Sequence, residues 1–515
     1  MRLIACCARP AGRSRNIRRI VLARSRVAES ECSPGPVSDG TMPGMAYLSS
    51  RRIALLCAAA ALAVSLPTLR NGFAIDDIHV FVDQPSIRDL GHVGSFFASG
   101  WGTGSNNVQE QGLNTNYYRP LPTTLSAVEY ALFGLRPVGF HLTSALLHAA
   151  ASVLAALILW QLTARQAAVT LIGGLLFAVH PASSEAYAAA CYQTVLLAGS
   201  LGLLCLLLFG RILQKGASPM LLAGLGFALL GALLSKEEAF AIPLLAVAWA
   251  VLLRPPGWRR SLALASAAMA APTLVVLGLR AAFVRPSAIT YFGNEPAGVV
   301  ALTMVRVQAL YAELLLLPLR LCPFYDWFVI DYQRGLSAGV ATGAGILLAC
   351  AVAFIYSVRR RPLLALAIAW YFLALLPGSQ IVSIIVVAAE RFLYLPMLGI
   401  SLAAGLLFSG LIERARAAGW RRLPMAAIAV VVLLLGARTV MRMSDWRNDG
   451  TLNRATADLF PETPTPLLNL ATYYYRFEHN PSKALGALDE AEERAPGFPP
   501  IRIRAEEIRR LSSRP

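Results

Sequence analysis

Apolar and polar positions alternate along this chain in long blocks rather than residue by residue. Nearly continuous apolar runs occupy 53–69, 140–162, 167–180, 187–209, 220–234, 238–253, 262–284, 336–356, 363–376, 394–411 and 424–440, and charged or polar clusters separate them. Runs of this length and density predict membrane-spanning helices, and about eleven of them predict an all-α, polytopic membrane protein. A further stretch, 299–319, is interrupted by Arg306 and Glu313. Counting it as a span would move Arg359, Arg360 and Arg361 out of the cytoplasm, so it reads as an interfacial or re-entrant helix.

The polar intervals divide the rest. Residues 1–50 form a basic tail with little apolar content, expected to be disordered and cytoplasmic, with Met42 and Met45 as alternative starts of translation. The membrane domain covers 51–440 and contains one long extracytoplasmic loop, 70–138. Within that loop, the segment 123–134 carries Glu129 and Tyr130 and is too short and polar to span, so it is expected to lie in the interface. From Met441 the chain becomes soluble in character. Small and large positions alternate through Asn469, Leu470, Ala471, Tyr474, Ala484, Leu488, Ala491 and Pro496 in the manner of a tetratricopeptide repeat, so 441–515 is expected to be an extracytoplasmic helical domain. A single repeat cannot build a stable solenoid, so it either docks on the membrane domain or is the remnant of a longer array.

Composition agrees with the spans: 56% of the 515 residues are hydrophobic and the mean hydropathy is +0.57. The formal net charge of +17 would suit a nucleic-acid binder, but the arginines punctuate the spans instead of clustering on one face. Arg51 and Arg52, Arg165, Arg211 with Lys215, Arg254 with Arg259 and Arg260, Arg359 to Arg361, and Arg414 with Arg416 fall at every second junction. That side reads as cytoplasmic and excludes a nucleic-acid partner. The eight cysteines show no spacing for zinc or for a disulfide framework, and no His and carboxylate triad has metal spacing, so no metal is expected.

Candidate chemistry gathers at the other set of junctions. Asp76 and Asp77 follow the first span. There a carboxylate stays solvated while the bilayer delivers a lipid-borne substrate, so either aspartate could deprotonate a hydroxyl; alternatively the pair only marks the helix end. His180-Pro181 and Glu185, Ser235-Lys236-Glu237 and Glu390-Arg391 share that side, as does Arg119. Arg391 offers a bidentate fork to phosphate oxygens, with Lys236 and Arg119 as further cations. The bland alternatives are an Arg391–Glu390 ion pair, a snorkelling Lys236 paired to Glu237, and a His-Pro that ends a helix.

Taken in order, Phe73-Ala-Ile-Asp76-Asp77, Tyr118-Arg119-Pro120-Leu121, Phe140-His141, Leu147-His148, His180-Pro181 with Glu185, Ser235-Lys236-Glu237 and Glu390-Arg391-Phe392-Leu393-Tyr394-Leu395-Pro396, closed by the repeat, resemble the GT-C membrane glycosyltransferases. The resemblance is to bacterial relatives of the transmembrane and tetratricopeptide-repeat O-mannosyltransferases and covers nearly all of 53–496. It implies an inverting transferase of the bacterial inner membrane, with a cytoplasmic amino terminus and a periplasmic carboxyl terminus. Such an enzyme would move a sugar, with mannose as one candidate, from a polyprenyl-phosphate donor to a protein hydroxyl or envelope glycan. By the same resemblance Asp77 or Asp76 is the base, with Asp77 preferred. Arg391, Lys236 and Arg119 bind the donor phosphate, and His180, Glu185, Glu237 and Gln193 contact substrate. No cofactor is implied beyond the lipid-linked sugar, and the repeat would help to hold the acceptor. One departure stands out: the family carries an Arg followed by an Asp on the helix after His-Pro, where this chain has Cys191-Tyr192-Gln193-Thr194-Val195. That gap leaves a non-catalytic envelope-assembly scaffold as the alternative. A transporter fits less well, because its coupling charges belong near the middle of spans.

Overall fold

The computed structural model describes residues 48–100, 117–284, 290–326, 328–420 and 422–512, so most of the expected disordered tail lies outside the described residues. Among these residues the chain is helical, with no strand. Its principal helices are α1 Ser50–Ser65, α2 Pro120–Phe133, α3 Pro137–Leu162, α4 Ala167–Val179, α5 Gln193–Lys215, α6 Pro219–Leu233, α7 Ala241–Leu253, α8 Trp258–Phe283, α9 Ala297–Leu316, α10 Ala338–Arg360, α11 Pro362–Leu375, α12 Met397–Ala417 and α13 Leu423–Asp445. Four shorter helices follow: α14 Asp449–Leu459, α15 Thr465–Arg476, α16 Pro481–Arg494 and α17 Pro499–Ser512. Proline at the first turn starts α2, α3, α6 and α11, where its missing N–H has no intrahelical role.

Among the described residues eight helices are long and apolar enough to cross a membrane, and three shorter apolar ones accompany them. α9 is among the eight by length, yet its partners place it at one end of the bundle. The Tyr291 amide just before it donates to Ile384 O, Thr303 Oγ1 accepts from the Gln333 amide, Arg306 donates to Val329 O, and the Leu315 carbonyl meets His180. Those partners lie in connections at the end that also carries Asp76, Lys236 and Arg391. α9 therefore lies across that end, as its interrupting charges led one to expect. α7 follows the 3-10 turn Glu237–Phe240 beside Lys236 and ends at Arg254. The chain is a multi-pass membrane protein.

Close approach between α4 and α12 depends on glycine. A Cβ on Gly173 would stand 2.7 Å from Ser401 O, and one on Gly405 would stand 2.7 Å from Val169 O. Small residues let two backbones meet where lipid supplies no hydrophobic drive. Gly405→Leu is expected to cost about 1–3 kcal/mol by overpacking, read as a lower thermal midpoint of the detergent-solubilised protein. Outward faces remain apolar, as with Leu348 at 67% and Ile355 at 73% exposure on α10.

The last four helices have a small core of their own, formed by Leu467, Leu470, Ala471, Ala484, Leu488, Ala491 and Ile501. They dock on the membrane domain. Arg320 pairs with Glu462 at 3.3 Å and stacks on Phe460, while Thr463 donates to Asp326 at 2.9 Å. On the other side the Gly72 amide donates to Arg447 O and the Ile75 amide to the Asp449 carboxylate.

Candidate active site

The site begins where α1 gives way to a 3-10 turn, Leu66–Arg70. Asn71 Nδ2 then donates to Met443 O at 2.9 Å and fixes the chain against α13. Ile75 adopts φ 51°, the left-handed region that a β-branched residue rarely enters, and the Asp449 carboxylate holds its N–H. This bend sends the two following aspartates into different surroundings.

Asp77 is fully buried. Its Oδ1 accepts the Cys191 N–H at 2.7 Å and its Oδ2 the Ala74 N–H at 3.2 Å. Burial pushes its carboxyl up to about 7, against the pull of these amide bonds. Both oxygens are committed to backbone, so Asp77 ties the loop to the start of α5. Asp76 instead lines a cavity of about 330 Å³, and its Oδ2 accepts the Tyr192 hydroxyl at 3.2 Å. Adjacent positions on the turn face opposite ways: of the two candidate bases Asp76 lines the cavity, and Asp77, the one preferred from the sequence, does not.

All three predicted cations, Arg391, Lys236 and Arg119, line that cavity. Arg391 is paired with the fully buried Glu185, which takes its guanidinium on Oε1 and its backbone N–H on Oε2 at 2.7 Å. The Arg391 guanidinium also lies 4.4 Å from the centre of the Tyr192 ring. Its Nε and Nη2 have no hydrogen-bond partner among the described residues. Lys236 is 5% exposed, and its Nζ sits 2.7 Å from Glu238 Oε1 without a well-directed hydrogen bond. Burial brings this amine down to about 8, although Glu238 pulls it upward. Arg119 is more fully engaged, with Nε and Nη2 both on Glu237 Oε2 at 3.1 and 2.8 Å.

Four predicted substrate contacts behave differently. Glu237 lines the cavity, but Arg280 takes its second oxygen at 2.7 Å. Burial alone would raise its carboxyl, and the two arginines hold it down at about 2. It anchors Arg119. Glu185 lies behind Arg391, with both oxygens bonded to it. His180 is buried, with Nδ1 accepting the Ala182 N–H at 3.2 Å and Nε2 3.0 Å from Leu315 O. Burial lowers this imidazole to about 4, so it is neutral and joins the end of α4 to α9. Gln193 turns away, donating to Glu129 Oε1 at 2.8 Å and Phe140 O at 2.9 Å. His180, Glu185 and Gln193 do not line the cavity and are bonded to other parts of the bundle, as a polar residue at a span end can be.

Sequence reasoning missed Tyr117, Tyr192 and Glu238, which complete the polar wall, and Ile384, Ile385 and Phe392, which form the apolar one. The signal for Glu238 was present in the charged run Ser235-Lys236-Glu237-Glu238. Tyr117 and Tyr192 look like packing aromatics, and only the fold reveals the guanidinium over each ring.

The chain is 25% identical over 462 residues to the Drosophila melanogaster Protein O-mannosyl-transferase Tmtc3, a match covering 74% of this chain and 48% of that protein. It is also 25% identical over 451 residues to the Mus musculus Protein O-mannosyl-transferase TMTC4, covering 76% of this chain and 59% of that protein. The chain is thus similar, over about three quarters of its length, to TMTC protein O-mannosyl-transferases. It spans about half the length of the curated relatives it matches. No family model matches the sequence. Among solved structures, ArnT from Cupriavidus metallidurans bound to undecaprenyl phosphate aligns over 88% of this chain and 77% of that chain, at 18% identity and a TM-score of 0.41. The resemblance drawn from the ordered motifs is borne out by the TMTC relatives. The stretch Cys191-Tyr192-Gln193, where the resemblance implies an Arg and an Asp, leads from a 3-10 turn into α5, and Tyr192 there faces Asp76 and Arg391.

Proposed function

We propose that this chain is an inverting glycosyltransferase that moves a sugar, mannose being the first candidate, from a polyprenyl-phosphate donor to a protein hydroxyl or envelope glycan. The observation that carries this reading is one cavity that sets the Asp76 carboxylate against the cations Arg391 and Lys236. An apolar groove of about 650 Å³ lies between α7, α10 and α11. Its lining residues Leu244 and Leu373 are between one and two helical turns from Glu238 and Pro377 of the cavity. The groove opens on the outer face at Val247 and Val251 and suits an isoprenoid tail whose phosphate enters the cavity.

The acceptor hydroxyl oxygen attacks the anomeric carbon from the face opposite the phosphate, and its proton passes to Asp76. The bond from that carbon to the phosphate oxygen breaks, with the electron pair leaving on the polyprenyl phosphate. Arg391 and Lys236 stabilise the added negative charge, an electrostatic contribution that grows as the bond breaks. The leaving phosphate needs no proton and finds its counter-charges in side chains, so the proposal includes no metal or other cofactor.

Arg165, Arg211, Arg254 and Arg414 fall at the junctions away from the cavity, and this charge bias supports an outward-facing site. The proposed location is the bacterial inner membrane, with a cytoplasmic amino terminus and a periplasmic carboxyl-terminal domain of tetratricopeptide type that presents the acceptor.

The test is transfer by the full chain reconstituted in liposomes with polyprenyl-phosphate hexoses and Ser/Thr peptides or envelope glycan, read by mass spectrometry. A glycan mass on the acceptor is expected. A folded, inserted protein that transfers none of these sugars would overturn the reading. One pH dependence follows. Lys236 is charged below about 8 and neutral above it, so kcat/KM for the donor falls as pH rises through about 8. Lys236→Arg moves that fall to higher pH.

A further inference from the structure

Tyr192 stands between the two halves of this site. Its hydroxyl donates to Asp76 Oδ2 at 3.2 Å, and its ring centre lies 4.4 Å below the Arg391 guanidinium. It is 8% exposed and lines the cavity at the turn that starts α5. The backbone of this turn is fixed, because the adjacent Cys191 N–H is held by Asp77. The next residue, Gln193, is spent on Glu129 and Phe140. Neither neighbour of Tyr192 can reach both charged groups.

We infer that Tyr192 is a positioning residue that holds the Asp76 carboxylate and the Arg391 guanidinium at a set separation, so that base and phosphate cation act on one donor. The inference rests on the proposed function and deepens it. Two separable contacts make the coupling. The hydroxyl occupies Oδ2 and fixes the rotation of the carboxylate. The ring supports Arg391 from below by a cation–π contact, while Glu185 holds it from behind. A phenylalanine keeps the second contact and removes the first, whereas leucine removes both.

Transfer kinetics and binding of undecaprenyl phosphate to the full chain in nanodiscs are measured for wild type, Tyr192→Phe and Tyr192→Leu, alongside thermal midpoints. Tyr192→Phe is expected to lower kcat by roughly 10- to 100-fold, the size of one hydrogen bond to a charged group. Its donor KM and its undecaprenyl phosphate affinity stay within about twofold. Tyr192→Leu lowers kcat similarly and also weakens undecaprenyl phosphate binding by roughly 2- to 30-fold, the range of a desolvated cation–π contact. Wild-type kcat in Tyr192→Phe overturns the inference, as does a loss of kcat and binding that only follows the thermal midpoint. If wild type itself transfers no sugar, the proposed function fails, and the binding measurement still decides the role of Tyr192. Equal affinities of wild type and Tyr192→Leu would then overturn it.

Discussion

Asp76→Asn is expected to abolish the proposed sugar transfer, and Asp77→Asn to leave it largely intact. Removing a general base costs roughly 10²- to 10⁴-fold, and Asp76 is the carboxylate of the pair that lines the cavity. Asparagine preserves its shape and can still accept the Tyr192 hydroxyl, so insertion and thermal midpoint should stay near wild type. Asp77→Asn reverses the pattern. A carboxamide has one acceptor oxygen, whereas Asp77 serves two amide donors, Cys191 and Ala74. One buried N–H loses its partner, at about 1–3 kcal/mol of stability. Full activity in Asp76→Asn, with loss of activity in Asp77→Asn, would reverse the assignment.

Glu185→Ala produces the largest loss of stability among the site variants. The pair it forms with Arg391 is buried, with side-chain exposures of 0% for Glu185 and 12% for Arg391. Breaking such a pair from one side leaves an uncompensated charge and costs about 3–5 kcal/mol. Arg391→Lys separates the charge from its geometry. Lysine keeps the positive charge but lacks the planar fork and stacks poorly on Tyr192, so donor KM rises by about tenfold or more with modest change in stability. Thermal midpoints in detergent and donor saturation curves measure the two effects. A donor KM unchanged in Arg391→Lys would remove Arg391 from phosphate binding.

The helical, multi-pass fold was largely legible because the physics that sets it is one-dimensional. A span needs a run of apolar residues, and such runs are visible in the sequence. The far side of the site was legible as a set: Asp76, Arg391, Lys236, Arg119 and Glu237 all line the one cavity. Which members face a ligand was not. Asp76 and Asp77 differ only in the side of a turn, and that turn is set by Ile75 and by Asp449, 374 residues further along. Glu185 and His180 sit at a span end like Lys236 does, but their partners, Arg391 and Leu315, come from elements distant in sequence. Tyr192 needed both the Asp76 loop and Arg391 in place before its role could be seen.

The bend at Ile75 makes formation of the site a matter of timing. A β-branched residue held at φ 51° carries strain of the order of 1–3 kcal/mol, tolerated only where the surroundings over-determine it. Its anchor, Asp449, is synthesised after the last span has been made. A nascent chain can therefore insert its helices and assemble the cation wall while the Asp76 loop is still relaxed. The bend that turns Asp76 into the cavity is latched only once the carboxyl-terminal helices dock and Asp449 holds the Ile75 N–H.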